Sequence, residues 1–137
     1  MGSFDGSRLW RNDGNLVFDP LKAVDISTMR ANAVLLVDLD RDGDLDLYEA
    51  NTGYDHVYWN DGRGTFADSG QRLGETLDCG DGPATQDAAV GDLDGDGDLD
   101  IVAVNGGFHP RGGAWPGETV NDVFLAEPDP ARPGRLR

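Results

Sequence analysis

Apolar residues in this chain come in short runs with polar punctuation. "VLLV" (34–37), "LDLYEA" (45–50), "HVYW" (56–59) and "TFAD" (65–68) are rich in Val, Leu and aromatics and are bounded by Gly, Asn and Asp. Their alternation carries no amphipathic helical stripe, so each reads as a β-strand. "PLKAVDISTMRANAV" (20–34) alone hints at helix, but it is short and uncapped. The pattern predicts strands over 33–38, 45–50, 56–60 and 65–68. Asn60-Asp61-Gly62 supplies a hairpin turn signal, since these residue types accept positive φ. Asn12-Asp13-Gly14 repeats that signal between expected strands at 8–12 and 16–19.

The chain repeats itself. "VLLVDLDRDGDLDLYEAN" (34–51) returns as "AAVGDLDGDGDLDIVAVN" (88–105), a displacement of 54 residues from Asp38 to Asp92. "LWRNDGNLVF" (9–18) aligns with "VYWNDGRGTF" (57–66), and "NDVFLAE" (121–127) echoes "DHVYWND" (55–61). Four short antiparallel strands per unit, at a period of about 50 residues, are what a β-propeller blade looks like. The expected organisation is one all-β domain over 1–137. It comprises a partial blade at 8–32 (strands three and four), a complete blade at 33–74, a partial blade at 87–127 (strands one to three) and a tail at 128–137.

Composition narrows the chemistry. The 137 residues carry a formal charge of −15, which excludes nucleic acid and anionic membrane as natural partners. The 38% apolar content and three tryptophans argue for a folded domain against disorder. The one cysteine, Cys79, leaves no intrachain disulfide or cysteine-rich zinc site. No apolar run is long enough to insert in a membrane, and "MGSFDGSRLW" lacks the basic and apolar regions of a signal peptide.

Clustered carboxylates call for a hard divalent cation. In "DLDRDGDLD" the side chains of Asp38, Asp40 and Asp42 stand at positions 1, 3 and 5, and Gly43 permits the turn that gathers them. Asp44 can offer its backbone carbonyl, and Asp46 a further carboxylate. The second loop repeats every donor with Asp92, Asp94, Asp96, Asp98 and Asp100. An oxygen-only set suits Ca²⁺, about two ions per chain, whereas Zn²⁺ or Cu²⁺ would favour His or Cys. An acidic surface loop without metal would not explain the shared 1-3-5-9 spacing. An EF-hand or dockerin-like module is the rival, because Glu49 falls twelfth from Asp38. The twelfth residue of the second loop is Ala103, however, and both loops are flanked by strand-like segments. Glu49 is therefore expected on a solvent-facing strand position.

The paired loops, each leading into "LDLYEAN" or "LDIVAVN" and followed by an aromatic strand, resemble the FG-GAP/VCBS repeat family, the calcium-loop blades of integrin-α-type β-propellers. "HVYWNDGRGTFADSGQRLG" (56–74) resembles the strand-turn-strand after the loop in bacterial members. The resemblance covers roughly 8–127. It implies that the loop joins strands one and two of a blade, and that the ten loop aspartates match the family's ligand positions. The departure is blade number: little more than two units are legible, where closed propellers generally have about four or more. A fragment of a longer propeller, or a homo-oligomer closing a ring, most simply of about six blades from three chains or else as a dimer, would resolve this. The oligomer is favoured by the offset ends, since an N-terminal strand pair could complete a neighbour's unfinished blade.

Trp10, Tyr58, Trp59 and Phe66 read as inter-blade packing. Cys79 lies in an insertion, and His56 and His109 read as surface or packing residues. The Gly/Pro-rich stretch 106–120, with Trp115, is long for a strand connection and reads as a closing or subunit-contact loop. The functional expectation is a non-catalytic, calcium-binding propeller module for protein interaction or assembly, outside the cell or at its surface, where calcium is plentiful. A propeller lectin or an enzyme acting on the loop face are the alternatives, with a protein or glycan ligand on the loops.

Overall fold

The computed structural model describes residues 7–10, 12, 14–18, 24–25, 31–74, 84–106, 120–127 and 134–137. Cys79, Asp13, His109, Trp115 and most of 106–120 lie outside the described residues. The described elements are all β-strands, and their pairing is antiparallel. A short pair, β1 (Arg8–Leu9) with β2 (Val24–Asp25), precedes a four-stranded sheet of β3 (Ala31–Val37), β4 (Asp46–Asn51), β5 (Asp55–Asn60) and β6 (Phe66–Leu73). A three-stranded sheet follows, β7 (Ala84–Gly91), β8 (Asp100–Gly106) and β9 (Asp122–Phe124), in chain order. Sequential order in each sheet is the meander that short polar connections enforce.

Two expectations change at the chain's ends. Among the described residues, the hairpin read at 8–12 and 16–19 shows one bridge, Asn12 with Phe18, and β1 pairs with β2. The residues read as a tail include a bridge, Ala126 with Leu136: Leu125 and Arg137 exchange both backbone hydrogen bonds (3.1 and 3.0 Å), and Glu127 N–H donates to the Arg135 carbonyl at 2.7 Å. Residues 135–137 thus sit beside the continuation of β9, on the edge that a neighbour's N-terminal pair was expected to fill.

The core lies between the two larger sheets. Register sets Leu35, Tyr48 and Val57 abreast on one side of the four-stranded sheet. That side packs on the Ile101, Ala103 and Phe124 side of the next sheet. Fully burying a side chain such as Val57 or Ile101 contributes about 1.5–3 kcal/mol. All six residues of β4 are buried, Glu49 included. Glu49 is therefore not solvent-facing. Alternation along a strand tells which residues share a side, but not that both sides of a central strand are covered.

The β5–β6 turn falls where expected, by a different device. Positive φ belongs to Gly62 and Gly64. The Asn60 and Asp61 side-chain oxygens instead accept the N–H groups of Gly62 and Gly64, and of Arg63 and Thr65, at 2.9–3.2 Å. Trp59 packs against the inter-sheet core as expected of an inter-blade aromatic, whereas Trp10 is exposed. His56 contacts the Tyr58 hydroxyl (3.1 Å), and burial together with the Arg72 charge lowers its pKa.

Candidate metal centre in the paired aspartate loops

Each acidic loop is the connection between the first two strands of a sheet: β3 to β4, and β7 to β8. Within a loop the carboxylates first serve the backbone. Asp40 and Asp42 accept the N–H two residues ahead (3.2 and 2.9 Å), and Asp38 Oδ2 accepts Gly43 N–H at 3.1 Å. Asp94, Asp96 and Asp92 Oδ2 do the same for Asp96, Asp98 and Gly97. These Asx turns coil the loop so that alternate carboxylates converge. Gly43 at φ +97° and Gly97 at φ +90° make the reversal.

Carboxylate oxygens of Asp38, Asp40 and Asp42 lie within 4.8 Å of one another, as do those of Asp92, Asp94 and Asp100. Asp44, Asp46, Asp96 and Asp98 stand outside these two groups. In the first group Asp38 Oδ1 is buried without a hydrogen-bond partner. The counterpart oxygen in the second loop, Asp92 Oδ1, accepts Gly95 N–H at 2.7 Å. A buried anionic oxygen with no donor is costly. It fits a site where a cation supplies the missing charge. Burial raises the Asp40 pKa, and the neighbouring Asp46, Asp42 and Asp38 charges add to the rise. That repulsion is what a divalent ion would relieve.

The ninth-position aspartates are braces. Asp46 is fully buried; its Oδ2 accepts Leu39 N–H at 3.0 Å and its Oδ1 accepts Asn60 N–H at 2.9 Å. One side chain thereby ties the loop entry, the start of β4 and the end of β5. Asp100 does likewise for Leu93 (2.7 Å) and Ala126 (2.8 Å). Burial raises the Asp46 pKa against the opposing pull of its backbone donors.

The loops also meet each other. Arg41, at φ +62°, reaches Asp98 Oδ1 at 3.0 Å across the sheet boundary. Position 4 of the second loop is Gly95, at φ +80°. The β5–β6 turn closes over the first loop as well, since a Cβ on Gly62 would collide with the Asp44 carboxylate.

A second polar cluster sits between the sheets at the opposite end of β4. Asp55 accepts the Tyr48 hydroxyl, the Thr85 hydroxyl (2.8 Å) and Asn51 N–H (2.8 Å), linking the two sheets. Burial raises the Asp55 pKa, opposed first by the Tyr48 hydrogen bond. Burial and the Asp55 charge also push the Tyr48 hydroxyl upward. Sequence reasoning missed this cluster. Its signal was the asparagine closing both "LDLYEAN" and "LDIVAVN": Asn51 N–H donates to Asp55, and Asn105 N–H donates to Asn121 Oδ1 at 3.0 Å.

Antiparallel β sheets stacked face to face, each opened by an acidic loop between its first two strands, define a blade-type repeat protein. Residues 38–103 match the family model of the FG-GAP-like repeat. Comparisons with curated proteins and with solved structures returned no match.

Proposed function

We propose that the chain is a non-catalytic, calcium-binding β-propeller-type module for protein interaction or assembly, with the cation in a structural role. The observation that carries this reading is Asp38 Oδ1, buried and without a donor beside the gathered carboxylates of Asp40 and Asp42. In the first loop Asp38, Asp40 and Asp42 would hold the ion, with Asp44 offering a backbone carbonyl. In the second, Asp92 and Asp94 would do so together with Asp100, which also braces Leu93 and Ala126, with Asp96 and Asp98 alongside. The ion would supply charge neutralisation; the backbone hydrogen bonds of the loop orient the carboxylates towards it. FG-GAP-like repeats are typical of extracellular and surface proteins, which supports a calcium-rich setting for this chain.

Calorimetric titration with Ca²⁺ tests the reading. The expectation is two sites with dissociation constants of about 0.1–1 mM. At about 10 mM calcium each site would add about 1.4–2.7 kcal/mol of folding stability by linkage. The melting temperature therefore falls on chelation. No heat of binding and an unchanged melting temperature would sink the calcium reading.

A further inference from the structure

The buried cluster between the two larger sheets makes more hydrogen-bond contacts than its hydroxyl groups can supply. Asp55 Oδ2 meets the Tyr48 hydroxyl and lies 2.8 Å from Thr85 Oγ1. Thr85 Oγ1 in turn lies 3.0 Å from Asn105 Oδ1. These are three oxygen-to-oxygen contacts, and Tyr48 and Thr85 bring one hydrogen each. The Asn105 amide cannot provide the third by turning over. Its Nδ2 faces the Val120 carbonyl at 2.9 Å and the Asp122 carboxylate at 2.6 Å, both acceptors, which turns Oδ1 towards Thr85. Asp55 Oδ1 is an acceptor too, taken by Asn51 N–H at 2.8 Å. With Asp55 ionised, one of the three contacts is two lone pairs facing each other. A proton on Asp55 Oδ2 completes the series: Tyr48 donates to Asp55, Asp55 to Thr85, and Thr85 to Asn105.

The surroundings favour that proton. The titratable groups facing Asp55 are Tyr48 from β4 and Asp122 from β9, while β7 and β8 present Thr85 and Asn105. Its register partner on β6 is Leu73, and the neighbouring Arg72 is engaged by Asp68 at 2.7 Å. Burial holds the Asp55 carboxyl above the usual carboxylate range, and the Asp122 charge adds to the rise. We propose that Asp55 is a neutral carboxylic acid in the folded chain near neutral pH, and that its proton is the third hydrogen of a bolt joining the two larger sheets. When the proton leaves, Thr85 can serve Asp55 or Asn105 but not both. A second negative charge then stands between the sheets beside Asp122, and the contact weakens. The bolt uses none of the loop aspartates, so it goes beyond the proposed function and rests on neither calcium nor assembly.

Carboxyl-carbon NMR of the wild-type chain, with Asp55 assigned through its own Cβ, reads the proton directly and needs no variant. The signal should stand at the neutral-acid position at about pH 7 and move to the carboxylate position only above it. Asp55→Asn keeps a donor towards Thr85 but does not titrate, so urea unfolding of both proteins isolates the linkage. From about pH 5 to about pH 7 the unfolded Asp55 is ionised while the folded one keeps its proton. The unfolding constant of the wild type divided by that of the variant should therefore rise about tenfold per pH unit, about a hundredfold in all. The loop aspartates titrate in both proteins and cancel from the ratio. A carboxylate signal at about pH 7, or a ratio that stops rising before it, would overturn the proposal. If Asp55→Asn does not fold, the NMR titration decides alone. Both series give the same result in chelator, so their failure leaves the calcium reading standing, and calorimetry without calcium heat leaves the bolt standing.

Discussion

Asp46 offers the sharpest test of how the acidic loops work. Asp46→Ala removes both acceptors from two backbone donors, Leu39 N–H at 3.0 Å and Asn60 N–H at 2.9 Å, around a fully buried side chain. Each stranded buried donor costs about 1–3 kcal/mol, so the pair costs about 2–6 kcal/mol. Removing a carboxylate whose own burial is unfavourable returns part of this, which places the expected loss near about 2–4 kcal/mol. Against a typical domain stability of about 5–15 kcal/mol, that is a large fraction. Asp46→Asn keeps one acceptor and should lose about half as much. Urea unfolding followed by tryptophan fluorescence, run with calcium and with chelator, measures the change. A brace acts without metal, so the loss must appear in both conditions. Asp40→Asn should do the reverse, leaving chelated stability nearly unchanged and removing part of the calcium stabilisation. A loss for Asp46→Ala below about 1 kcal/mol in chelator, or one confined to calcium, would refute the brace and make Asp46 a ligand.

Two further perturbations probe the contacts between the sheets. Gly134 sits at φ +69°, and a Cβ there would lie 2.8 Å from Trp59 Cη2 and 2.9 Å from the Leu39 carbonyl oxygen. Gly134→Ala should therefore cost about 2–4 kcal/mol from backbone strain and overpacking together; an unchanged unfolding midpoint would show that residues 134–137 do not dock on the first sheet. Burial holds the Asp55 carboxyl above its ordinary pKa, so between the ordinary and the raised value the folded state binds more protons than the unfolded state. Its contribution to stability thus increases as pH falls through that window. The stability difference between wild type and Asp55→Asn should shift in favour of wild type on acidification from about pH 6 to about pH 4, and a flat difference would contradict the burial-driven shift.

Much of this protein was legible in its residues because the signals are local. Turn-forming Gly, Asn and Asp bound the strands, and the observed β3 to β6 differ from the expected ranges by a few residues, most at the end of β6. The acidic loops fall between the first two strands of each of the two larger sheets, where the repeat put them. Helical flanks, which the twelfth-position Glu49 would have needed, are absent among the described residues.

The division of labour among the aspartates was not legible. Position 9 looks like one more carboxylate in a series of identical letters. Only when β5 comes alongside does Asp46 meet Asn60 N–H, and only when residue 126 arrives does Asp100 meet its second donor. Glu49 misled for a similar reason, since sheet stacking decides whether both sides of a strand are covered.

The bridged segment 135–137 misled too, being too short to show a period and gaining its place by pairing with 125–127. Sequence alone determined the β-strand repeat and the two acidic loops, because side-chain alternation and Asx turns act within a few residues. Tertiary structure decided that Asp46 and Asp100 brace the backbone on either side of their loops. It also decided which sheet sides are covered, because burial and donor proximity arise between segments far apart in the chain.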